Sequence, residues 1–128
     1  MKKGALGKVY QDGEVIIRQG EVGNCMYVIQ EGNVEVLIKE DGKEIQLAVR
    51  GEGDFIGEMA IFDRDVRSAT IRTVGQVRIL TIDKKNFLRR IHEDPSLAFR
   101  IVETMSHRIR ELSKENAHLK SMVDNKTL

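Results

Sequence analysis

The chain has 128 residues, enough for one domain with its own core and too few for two ordinary ones, which excludes most multidomain enzymes. Apolar residues make up 41% and charged residues 32%, while 21 Lys plus Arg against 20 Asp plus Glu leave a formal net charge of +1, so nucleic-acid binding through bulk charge is excluded. The single Cys25 cannot close an intrachain disulfide, no run approaches the roughly 18 apolar residues of a membrane span, and Met1-Lys2-Lys3-Gly4 leads into no apolar segment. A cytoplasmic protein that does not enter the membrane is expected.

Ten of the 11 glycines lie before residue 58 and none after residue 75, so a turn-rich half precedes a half of different character. In the first half Glu14 to Arg18, Met26 to Gln30, Val34 to Ile38 and Ile45 to Val49 are short β-branched runs separated by glycine turns. Glu31-Gly32-Asn33 and Glu40-Asp41-Gly42-Lys43 read as hairpin connections, and Val74-Gly75-Gln76 as a third, between Ser68–Thr73 and Val77–Ile82. About eight short strands at this spacing predict an antiparallel β-roll or jelly roll.

From Lys84 the apolar period becomes helical, first in a short piece with Phe87, Leu88 and Ile91, then beyond Asp94-Pro95-Ser96 in a long one. Pro95 is the only proline; behind Asp94, a good N-cap, it suits a first helical turn, where its missing N–H costs little. The predicted bounds are 7–83 for the roll, 84–93 for the short helix and 95–124 for the long one, which at ~1.5 Å per residue is too long to pack entirely on a small barrel. Val102, Met105, Ile109, Leu112, Asn116, Leu119 and Val123 follow steps of three and four, a heptad seam with Asn116 at an a position, where one polar residue fixes register and a two-stranded state. Glu115 and Lys120 then stand at g and e positions, placed to pair across a parallel homodimer. The alternative is that the stripe covers the roll.

The densest run of unusual residues is Gly53-Asp54-Phe55-Ile56-Gly57-Glu58-Met59-Ala60, followed after a short interval by Arg67-Ser68-Ala69-Thr70. Gly57 allows close backbone approach, and a helical turn over 58–61 would offer N–H groups to an anion. Alternation along a strand puts Arg67 on the apolar face of Ala69 and Ile71, where a guanidinium needs a partner. That partner is either Glu58 or Asp65, tying loop to strand, or a bound phosphate whose sugar hydroxyl Glu58 accepts.

These residues, with Ile17-Arg18-Gln19-Gly20-Glu21, Met26-Tyr27-Val28-Ile29 and Gly32-Asn33-Val34, resemble the cyclic nucleotide-binding domain. This is the β-roll module shared by the catabolite activator family of bacterial regulators, kinase regulatory subunits and nucleotide-gated channels. The likeness runs from about Val9 to Ser121. It implies that Arg67 clamps the cyclic phosphate, that Ser68, Ala69 and the backbone of Gly57, Glu58, Met59 and Ala60 surround it, and that the Glu58 side chain takes the ribose 2′-hydroxyl. Val36, Leu47, Ala48 and Ile56 match the apolar pocket positions. Leu112 stands where the catabolite activator has a threonine that reads the adenine amino group, and Ser113 matches a serine supplied by the partner subunit. Leucine offers no hydrogen bond. The expected ligand is therefore cAMP, with cGMP second and base discrimination weakened. The long helix leads here to nothing resembling a DNA-reading helix, so no DNA binding is expected of this segment.

Two other functions compete. Metal-dependent jelly-roll enzymes need clustered ligands, whereas His92, His107 and His118 all lie in the helical tail and Cys25, in a strand, reads as an inert buried thiol. No metal and no catalysis are expected. A nucleotide-free dimerisation module would have little reason to keep an inward arginine with its matching acid.

Overall fold

A computed structural model describes residues 6–62 and 66–127. The chain divides between Leu88 and Arg89 into two compact units. The first carries strands β1 (Lys8–Tyr10), β2 (Val15–Ile17), β3 (Cys25–Glu40), β4 (Lys43–Arg50) and β5 (Phe55–Ile56), the turn of helix α1 (Met59–Phe62) and strand β6 (Thr70–Asp83). Helix α2 (Lys84–Glu93) crosses the division, and α3 (Ser96–Thr127) belongs to the second unit.

All pairings are antiparallel in one open sheet of six strands, ordered β1-β6-β3-β4, with β2 also on β6 and β5 also on β3. Among the described residues the count is six rather than about eight because two expected hairpins are not turns. Glu31-Gly32-Asn33 lies inside β3 and Val74-Gly75-Gln76 inside β6, and the two strands run past each other from Cys25↔Asp83 to Leu37↔Thr70 with register shifts at 29–33. Gly32 has φ 89°, and a Cβ there would meet the Gln76 carbonyl of the facing strand, so the glycine lets both strands bend together without breaking the ladder. The hairpin at Glu40–Lys43 forms as expected: Asp41 (φ 52°) and Gly42 (φ 76°) supply the paired positive φ angles of a tight two-residue turn.

The core follows from alternation along the two long strands. Ile29 and Ile79 face each other in register, and with Val34 and Val77 they are at most 1% exposed. Ile17, Ile56 and Ile71 complete the cluster, with Tyr10, Ile16, Tyr27 and Val36 packed at its margin. Asp83 ends β6 and caps α2, its Oδ1 accepting from the Asn86 amide at 2.8 Å.

In the second unit Asp94 caps α3. Its Oδ1 accepts from the Ser96 hydroxyl at 2.5 Å and the Ser96 amide at 3.2 Å, and its Oδ2 lies 3.6 Å from Arg100 Nη2. These contacts, the Ser96 hydroxyl foremost, hold the Asp94 carboxyl below its ordinary range. The 32 residues of α3 extend roughly 48 Å at ~1.5 Å per residue. Along it Val102, Ile109, Leu112, Leu119 and Val123 are 59–63% exposed, Asn116 is exposed and Met105 half-buried.

Candidate functional site

The site grows from the segment joining α1 to β6. Val66 forms an isolated antiparallel bridge with Val22, the Arg67 amide donates to the Glu21 carbonyl at 2.7 Å, and the Gly20 amide donates to the Arg67 carbonyl at 2.9 Å. Arg67 is thus paired with the 20–22 segment and precedes β6, which begins at Thr70. This corrects the expectation that strand alternation sets its direction. The side chain turns inward because backbone acceptors await it. Nη1 donates to the Gly57 carbonyl at 2.9 Å and Nη2 to the Cys25 carbonyl at 2.8 Å, with Cys25 Sγ at 4.0 Å and the Tyr27 ring centroid 6.0 Å from Cζ. Among the described residues these contacts run to carbonyls, a sulfur and a ring, with no carboxylate among them. Asp65, one partner weighed from the sequence, lies outside the described residues.

Each acceptor is placed by its own element. Gly57 follows β5, whose Ile56 and Phe55 pair with Tyr27 and Val28 of β3, and the Asp54 carbonyl accepts from the Ile29 amide at 2.9 Å. At φ 72°, Gly57 turns the chain out of the strand, and a Cβ there would press on Arg67 Nη1 and Ile17 Cδ1. Its carbonyl also accepts from the Ala60 amide at 3.2 Å, and the Glu58 carbonyl from the Ile61 amide at 3.0 Å. Two amides of the expected anion cradle therefore bond back into the turn. Glu58 is half-buried, Ser68 exposed and Ala69 half-buried.

The apolar residues divide. Ile56 is 4% exposed, in the core, and Val36 packs at its edge, facing Ala48 on β4 and Ile71 on β6. Leu47 is 57% exposed and falls where the β3–β4 register slips from Val36↔Ala48 to Leu37↔Gln46, the extra residue of a bulge. Leu112 and Ser113 lie on α3, both exposed, in the second unit.

Two contributors escaped the sequence reading: the Cys25 carbonyl and Tyr27. Main-chain carbonyls carry no residue signature. Cys25 is half-buried rather than buried, at the first position of β3, and its carbonyl accepts from Arg67 Nη2. Burial pushes the Tyr27 hydroxyl well above its ordinary range, the adjacent Cys25 adds to the shift, and Arg67 opposes it. Among the described residues there is no cluster of three or more His, Cys, Asp or Glu side chains able to hold a metal ion, and no helix long and apolar enough to cross a membrane.

Residues 7–94 match the family described as the cyclic nucleotide-binding domain. The cAMP-activated global transcriptional regulator CRP of Salmonella typhimurium is 35% identical over 112 residues, covering 86% of this chain and 53% of the regulator. The cAMP-dependent protein kinase regulatory subunit of Schizosaccharomyces pombe is 38% identical over 81 residues, covering 63% of this chain and 19% of the subunit. The catabolite activator protein of Thermus thermophilus superposes with a TM-score of 0.80 at 29% identity, covering 88% of this chain and 54% of that one. The chain thus spans about half, or less, of the length of these relatives. A family match that runs through the whole roll, with the same architecture in a solved relative, agrees with the pairing of Gly57 and Arg67: the chain belongs to the cyclic nucleotide-binding domain family.

Proposed function

We propose that this chain is a regulatory sensor, not a catalyst, that binds a cyclic nucleotide, cAMP ahead of cGMP, and couples occupancy to the geometry of a homodimer formed through α3. The observation that carries the reading is the held guanidinium. Two backbone carbonyls fix Arg67 beside Gly57 without neutralising it, which leaves a preoriented cation for a phosphate. Ser68, Ala69 and the turn from Gly57 through Glu58 and Met59 to Ala60 surround that phosphate, and the Glu58 carboxylate accepts from the ribose hydroxyl. Val36, Leu47, Ala48 and Ile56 enclose sugar and base.

The exposed seam Val102, Ile109, Leu112, Leu119 and Val123 supports the dimer, since a row of large apolar side chains left open along one helix face is the surface a second helix covers. A nucleotide that prefers one dimer geometry shifts the population toward it, and dimer geometry reciprocally tunes affinity.

Titration with cAMP and with cGMP while melting the protein tests the ligand. At 100 times its dissociation constant either should add about 2.7 kcal/mol, and Arg67→Leu should abolish the shift while melting stays cooperative. No shift with either nucleotide at millimolar concentration leaves the module as a nucleotide-free dimerisation unit and refutes the sensor.

A further inference from the structure

The Arg67 guanidinium lies flat against a residue to which no role has been given. A Cβ built on Gly23 would overlap Nε, Cζ and Nη2 of Arg67, so the planar group occupies the very space a side chain at 23 would need. The backbone around Gly23 is fixed on both sides by the same arginine. Upstream, Gly20 and Glu21 bond its main chain and Val22 bridges its neighbour Val66; downstream, the Cys25 carbonyl accepts Nη2 at 2.8 Å. Gly23 itself does not have a positive φ, so its backbone lies outside the left-handed region that favours glycine. What a methyl group would disturb is the guanidinium.

We infer that Gly23 is a positioning residue for Arg67: its bare Cα face sets the plane and depth of the guanidinium and so the direction of the remaining N–H donors. This rests on the phosphate-clamp reading of Arg67 given above. A methyl at 23 must move the fork away from the Cys25 carbonyl, and a bidentate donor that has swung off its axis loses the alignment on which charge-assisted hydrogen bonds depend.

A double-mutant cycle tests this. Gly23→Ala should raise the dissociation constant for cAMP about tenfold or more, the scale of one such misplaced bond, while the same change in an Arg67→Lys background, which has no planar fork to displace, should leave affinity at the Arg67→Lys level. Equal affinity of Gly23→Ala and wild type, or the same loss in both backgrounds, overturns the inference. Should Gly23→Ala alone melt early, the double variant should regain stability; a double variant equally impaired would place the clash elsewhere and equally overturn it. If wild type binds no cyclic nucleotide, the ligand reading fails by itself, and the Arg67 Nε–H resonance in labelled protein still decides the matter. Movement of that signal on Gly23→Ala upholds the positioning role, and an unmoved signal removes it.

Discussion

Thr73 is 2% exposed, and its hydroxyl donates to the Gln11 carbonyl at 2.6 Å while accepting from the Glu14 amide at 3.0 Å; its backbone amide donates to the Glu14 carbonyl and its carbonyl accepts from Gly13. One side chain thereby closes the β1–β2 turn against β6. Thr73→Val keeps the shape but leaves Gln11 and Glu14 without that partner, so unfolding by urea should show a loss of about 1–3 kcal/mol with an unchanged slope; a loss below a few tenths would mean that water replaces the hydroxyl. Arg67 illustrates what is legible at this scale. A lone arginine among apolar residues, with a Gly-Glu pair ten residues earlier, marked itself as a charge needing a partner. Its actual holders, the carbonyls of Gly57 and Cys25, were not legible, because every residue type presents the same carbonyl and only the folded path brings position 25 to position 67.

At the scale of elements, local chemistry was read correctly where it acts locally. Asp41-Gly42 makes the turn its residue types demand, and Asp94 caps α3 through Ser96. The cap carries a pH prediction. The folded carboxyl lies below its ordinary range, so the cap's contribution is fully present above the unfolded value of about 3.9 and is lost as pH falls below it. Asp94→Asn keeps an acceptor for Ser96 without the charge. The melting difference between wild type and this variant should hold from about pH 6 to about pH 4 and shrink below that, and a difference constant from about pH 6 to about pH 2 would mean that the charge contributes nothing. Local chemistry misled at Glu31–Asn33 and Val74–Gln76, where glycine-bearing triplets looked like turns. In β3 and β6 those triplets face each other, and the cross-strand bonds on both flanks keep each strand continuous. A glycine alone does not say whether the chain reverses or merely bends.

At the scale of the molecule the proposed homodimer turns on α3. The α3 seam has Asn116 at its one polar a position, and in a two-stranded coil a buried Asn pair costs stability while fixing register and strand number. Sedimentation should find the wild type dimeric and Asn116→Leu more tightly associated and spread into higher oligomers; an unchanged state would refute the register argument. The sequence by itself placed most strand segments and both C-terminal helices near where they form, and it marked the turn at Asp41-Gly42 and the Asp94 cap. All of these depend on side-chain identity within a few positions. The tertiary structure decided that β3 and β6 are single bent strands, that Arg67 rests on the carbonyls of Gly57 and Cys25, and that Gly23 is the floor beneath it. Those outcomes depend on main-chain groups and on empty space, and neither has a letter in the sequence.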